Sequence, residues 1–101
     1  MILYNVTVNV ESGVLEDWLN WMKSHHIPEI MSTGCFEEYK ILRLINEDPE
    51  AQGQTFAVQY YAKSMGLVND YLQNHAPAIA QKHIQRYMNR CVSFRTVLEE
   101  I

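Results

Sequence analysis

Residues Ile2 to Val10 alternate with a two-residue period, Ile2, Tyr4, Val6, Val8 and Val10 falling on one side and Leu3, Asn5, Thr7 and Asn9 on the other. Successive side chains of a strand point to opposite faces, so this segment is a strand with one buried face. β-forming runs return at Thr55 to Ala62 and at Val92 to Ile101. A further run, Cys35 to Ile45, holds Phe36, Tyr39, Ile41, Leu42, Leu44 and Ile45 but alternates imperfectly, as a bulged strand would. The polar, turn-rich NEDPEAQGQ, residues 46 to 54, joins it to the Thr55 run as a long-looped hairpin.

Between these runs the period becomes helical. Val14, Leu15, Trp18, Leu19, Trp21 and Met22 follow Ser12, a candidate cap, with Glu16 and Asp17 in the first turn. Pro28 predicts a kink or break, followed by a short helical piece from Pro28 to Ser32 that stops at Gly34. Ser64 offers a second cap, before an apolar face of Leu67, Val68, Tyr71, Leu72 and His75. Beyond Pro77, Ile79, Ala80, His83, Ile84, Tyr87 and Met88 resume that face, which predicts a helix in two segments. The order β-α-β-β-α-β is that of an α+β, ferredoxin-like fold: a four-stranded antiparallel sheet with helices on one face. The 101 residues suit one domain, 1–101, and no repeat at the residue level stands out.

Helices on one face leave the other open. Alternation assigns Tyr4, Val6, Val8, Phe56, Val58, Tyr60, Val92, Phe94 and Leu98 to the covered face. It assigns Asn5, Thr7, Asn9, Thr55, Ala57, Gln59, Tyr61, Ser93, Arg95 and Val97 to the open one. A solvated face would carry more charge and a dry core fewer amides, so this face is expected to meet a partner sheet in a homodimer, around a polar-lined cavity. The competing reading is a plain solvated face, common in antiparallel sheets.

Charge excludes some partners. A net charge of −4 opposes the phosphate neutralisation on which nucleic-acid binding depends, and the eight Lys and Arg form no run for an anionic membrane. The topology is also that of RNA-binding sheets, but Thr55, Ala57 and Gln59 stand where stacking aromatics would be needed. No apolar stretch reaches transmembrane length, and the N-terminus lacks the basic flank and cleavage site of a signal peptide. Cys35 and Cys91 are single and distant, which suits buried thiols in a reducing compartment; the expected location is cytoplasmic.

The segments YNVTVNV (4–10), WLNWMKSHHIPEIMSTGCF (18–36), FAVQYYAKS (56–64), HAPAI (75–79) and FRTVLE (94–99) resemble an uncharacterised bacterial domain-of-unknown-function family, family 4286. The resemblance covers essentially the whole chain and implies the dimeric α+β barrel superfamily, whose members pair two sheets face to face. That superfamily includes cofactor-independent monooxygenases, haem-degrading enzymes and isomerases, so the resemblance implies architecture and leaves the chemistry to the site.

His25 and His26 lie where a helix ends beside the sheet and are the candidate catalytic residues, each a possible general base or ligand anchor; a histidine there also suits the helix dipole and free carbonyls without further purpose. Trp21, on the same stripe as His25, is expected at a cavity edge, and Trp18 in the core. Asn5, Gln59, Tyr61 and Arg95 are the candidate ligand-binding residues, able to take a polar or anionic group or to pair across a dimer. No metal site is expected: there is no H-x-x-x-H, H-E-x-x-H or Cys pair, and His75 and His83 read as packing or surface residues. No cofactor motif, P-loop or nucleophile elbow appears. The leading expectation is a homodimer that binds a small organic molecule in a cavity of roughly 300 Å³ or more between sheet and helices. The alternatives are a cofactor-independent monooxygenase or isomerase using a His base, and a scaffold without ligand.

Overall fold

A computed structural model describes residues 1–101 and shows the expected β-α-β-β-α-β order. The strands are β1 (Ile2–Val10), β2 (Glu38–Arg43), β3 (Gln54–Ala62) and β4 (Cys91–Glu99). They pair antiparallel in the order β2-β3-β1-β4, so β1 and β3 are central and β2 and β4 are edges. The helical arms are α1 (Leu15–Trp21) with α2 (Ile27–Met31), and α3 (Met65–Asp70) with α4 (Ala76–Arg86). No helix is long and apolar enough to cross a membrane.

Neither proline breaks its arm. A π-helical turn, Met22–His26 in the first arm and Tyr71–His75 in the second, carries the chain from one α segment into the next. In each arm the residue before the proline donates its N–H five residues back, Ile27 to the Met22 carbonyl and Ala76 to the Tyr71 carbonyl. Widening the turn gives room to a ring that would clash with the carbonyl four residues earlier, and the proline has no N–H to place. The sequence around both turns is alike, HIPEI at 26–30 and HAPAI at 75–79, so a short element does recur at equivalent positions, contrary to the sequence reading.

Caps and stops follow local chemistry in most places. The Ser64 hydroxyl accepts the Leu67 N–H at 3.3 Å, as expected of a cap. Ser12 caps nothing: Ser12–Val14 form a 3₁₀ turn and α1 starts after Val14. Gly34, at φ +79°, ends the first arm. β2 is shorter than the β-rich run containing it, because Cys35 and Phe36 turn into the core before the strand begins.

The core fills the layer between sheet and helices. Tyr4, Val8, Phe56, Val58 and Tyr60 from the two central strands are buried against Trp18, Met22, Ile27, Val68, Tyr71 and Ile79. The register of β4 corrects the sequence reading. Residues directly opposite in a ladder share a face. Val97, Arg95 and Ser93 pair with Tyr4, Val6 and Val8 and face the helices, while Leu98, Phe94 and Val92 pair with Leu3, Thr7 and Asn9 on the open face. The assignment by hydrophobicity inverts here because β4 is an edge: the helices cover its inner side only in part, and its apolar side faces outward with Phe94 62% and Val92 73% exposed.

Candidate functional site

A cavity of about 110 Å³ lies between the helix side of the sheet and the two arms. Tyr4 and Tyr60 of the sheet, His26 of the first arm, and Tyr71 and His83 of the second line it. The mouth opens beside β4 and α4, where Ser93, Arg95 and Ile84 line the cavity and are exposed. It is smaller than expected because three tyrosines and two imidazoles project into the same layer. It is nearer the size of cavities that hold a single benzene-like ring, about 150 Å³.

Of three buried side-chain polar atoms without a protein partner, two, His26 Nδ1 and Tyr60 Oη, belong to residues that line the cavity; the third is Asn5 Oδ1. The π turn that ends at His26 places its ring against Trp21, stacked at 4.7 Å and 24°, with the His83 ring 5.5 Å away. Burial, reinforced by His83, pushes the His26 pKa down to about 4 against the opposing pull of Glu29, so the ring is neutral at physiological pH. Burial also lowers His83, with the Arg95 guanidinium acting in the same direction. The Trp18 indole, which can only donate, gives its N–H to His83 Nε2 at 2.9 Å, fixing the His83 proton on Nδ1.

The tyrosines stay protonated. Burial raises Tyr4, Tyr60 and Tyr71, and for Tyr4 the Arg95 guanidinium opposes the shift. Arg95 Nε donates to Tyr4 Oη at 2.7 Å, holding a cation at the mouth. The lining thus combines aromatic faces, a neutral imidazole lone pair or N–H, a free phenol and one guanidinium, groups that can hold a ring bearing a hydroxyl or carboxylate.

The sheet divides the candidate residues. His26 and Arg95 line the cavity, and Trp21 backs it through His26. His25 is exposed, with Nδ1 2.7 Å from the Ser24 hydroxyl, because adjacent residues of a helical turn point in different directions. Asn5, Gln59 and Tyr61 are on the opposite face of the sheet and do not meet the cavity: Tyr61 Oη donates to Gln59 Oε1 at 3.2 Å, and Asn5 Nδ2 to Thr7 Oγ1 at 3.0 Å. The expectation of a single cavity lined by Asn5, Trp21, His25, Gln59, Tyr61 and Arg95, with Arg95 on the open face, is therefore corrected to a helix-side cavity holding Arg95 and a separate open face holding the amides. His83, Tyr4 and Tyr60 were missed as site residues. The available signal was three buried-face rings, each with a polar tip that must find a partner.

Similarity to solved structures supports the fold over the whole chain. A cofactor-independent oxygenase from Streptomyces nogalater, SnoaB, superposes with a TM-score of 0.70 at 10% identity, covering 98% of this chain and 91% of that one. The haem-degrader MhuD from Mycobacterium tuberculosis, solved with two haems in its active site, gives 0.68 at 14% identity, covering 100% and 96%. A dimeric ferredoxin-like protein from an uncultured marine organism gives 0.65 at 8% identity, covering 99% and 98%. No curated protein matches the sequence. These likenesses define the class as a ferredoxin-like α+β protein. Within it, the chain belongs to the family described as Domain of unknown function (DUF4286), whose model matches residues 1–101.

Proposed function

We propose that this protein is a homodimeric binding protein for a small ring-sized molecule, which enters beside β4 and is held by His26, Tyr60 and Arg95. The observation that carries the reading is the pair of buried, unpartnered polar atoms, His26 Nδ1 and Tyr60 Oη, on the lining of one cavity. Such atoms cost about 1–3 kcal/mol each when left unsatisfied, and a ligand that bonds to them recovers that cost. The cavity is too small as folded for a macrocycle such as haem. Phenol and benzoate are suitable probes in titration calorimetry and ¹H–¹⁵N NMR. Binding that weakens about tenfold in Tyr60→Phe and His26→Gln, with Arg95→Leu affecting benzoate more than phenol, supports the reading. Absence of binding to both probes at millimolar concentration removes it.

A second copy supplies cover for the open face. Val92, Phe94, Leu98 and Leu42 are exposed on that face, and the Asn5 side-chain oxygen is buried without a partner. The marine structural neighbour is named as a dimer. A cytoplasmic location is supported by two free cysteines.

The second reading is a cofactor-independent enzyme in which His26 takes a proton from an activated carbon acid, supported by its unpaired ring nitrogen. It ranks below binding because a base held at about 4 is poorly matched to proton abstraction near pH 7. His26→Gln separates the two: an enzyme loses turnover far more than affinity, and a binder loses affinity alone.

A further inference from the structure

Outside the cavity, three ligand-type side chains from separate parts of the chain meet at one point. Cys35 follows the first arm, Asp70 ends α3 and His75 ends the second π turn. The Cys35 thiol is 3.4 Å from Asp70 Oδ2, the His75 Nε2 is 3.8 Å from the same oxygen, and all three ligand atoms lie within 4.8 Å of one another. Tetrahedral zinc with bonds of 2.0–2.3 Å separates its ligand atoms by about 3.3–3.8 Å. Two of the three edges already have that length.

The π turn makes this meeting possible. At 3.6 residues per turn, side chains five apart on an α-helix diverge by about 140°. The five-residue hydrogen bond of a π turn brings such a pair toward one side. The first arm shows the same effect with different residues: Trp21, five before His26, stacks on it, and Asp70, five before His75, pairs with it. The supporting contacts hold the ligands in place. Asn74 Nδ2 donates to Asp70 Oδ1 at 2.6 Å, which leaves Oδ2 turned to the cluster. The Cys35 N–H donates to Thr33 Oγ1 at 3.3 Å, and Tyr71 stacks on His75 at 6.3 Å and 21°.

We propose that Cys35, Asp70 and His75 form a mononuclear site for a zinc-type divalent cation, with its fourth position open to water. Cys35 is buried while Asp70 and His75 are partly exposed, so the ion has one protein side and one solvent side. A thiolate, a carboxylate and an imidazole suit zinc or cobalt(II) and disfavour magnesium or calcium. Binding replaces the S–H bond of Cys35 by a sulfur–metal bond and releases one proton to solvent, with no change of oxidation state. The site was invisible to spacing rules, since Cys35 and Asp70 are 35 residues apart.

The test uses the full chain, reduced and stripped with a chelator, titrated with cobalt(II) and then with zinc. One cobalt per chain is expected, with a thiolate-to-cobalt charge-transfer band and tetrahedral visible absorption, both erased by zinc. Affinity should fall about tenfold or more in His75→Gln and in Asp70→Asn. Cys35→Ser should abolish the charge-transfer band while Cys91→Ser leaves it. If Cys35→Ser does not fold, His75→Gln decides, because its ring is partly exposed. Absence of the thiolate band in the wild-type protein, or unchanged affinity in folded His75→Gln, overturns the proposal.

Discussion

Trp18 and His83, 65 residues apart, are joined by a 2.9 Å hydrogen bond from the indole N–H to Nε2 that ties the first helical arm to the second behind the cavity. Trp18 is fully buried and packs on Phe56 at 5.0 Å, so this donor has no access to water. Trp18→Phe keeps an aromatic ring there but leaves His83 Nε2 without its donor. The expected cost is about 1–3 kcal/mol in urea denaturation, below the ~3–5 kcal/mol of a Trp→Ala truncation. NMR of the His83 ring should show the fixed Nδ1–H tautomer lost. An unchanged tautomer would mean that another contact sets it.

His26 makes stability depend on pH with a definite sign. Its ordinary value of 6.5 falls to about 4 in the fold, so between those limits the unfolded chain takes up a proton that the buried ring refuses. The stabilisation is full above about pH 6.5, declines as pH falls and is gone below about 4, a change of about 3 kcal/mol. His83, lowered in the same direction, adds to it. Urea midpoints at pH 7 and pH 4.5 should drop less in His26→Gln than in the wild type; equal drops would show that the His26 ring is not buried in solution.

Phe94 tests the open face. It is 62% exposed on an edge strand, on the same face as Val92 two residues before it and Leu98 four residues after it. Phe94→Glu places a charge where the second copy is proposed to pack, and such a residue should convert a dimer to a monomer in sedimentation equilibrium at micromolar concentration. A wild-type protein that already sediments as a monomer under those conditions sinks the dimer.

Gly53 tests the backbone between β2 and β3. Its φ is +71°, and a Cβ there would lie 2.4 Å from the Val10 carbonyl oxygen. Gly53→Ala combines a left-handed conformation with a clash against the end of a central strand, and is expected to cost about 2–4 kcal/mol. The companion Gly66→Ala meets only ordinary contact, with Ser64 Oγ at 3.7 Å, and should be near neutral in the same denaturation assay.

The chain's own periodicity determined the order of elements, the central strands and the face of β1 and β3 that is buried. Each of those strands is paired on both sides and covered on one, so a one-residue slip would expose a whole apolar row, and the alternation has to match the fold. β4 has only one neighbour and is only partly covered by the helices, so its apolar row was free to face outward, and only the ladder register decided that Arg95 enters the cavity. Composition at the helix end named two adjacent histidines, but the angle between neighbouring side chains turns only one of them, His26, to the cavity. His83, Tyr4 and Tyr60 became site residues through contacts across the layer, which no local pattern encodes. Local propensity follows from each residue and its near neighbours; a site is built from groups tens of residues apart, whose meeting depends on how sheet and helices pack.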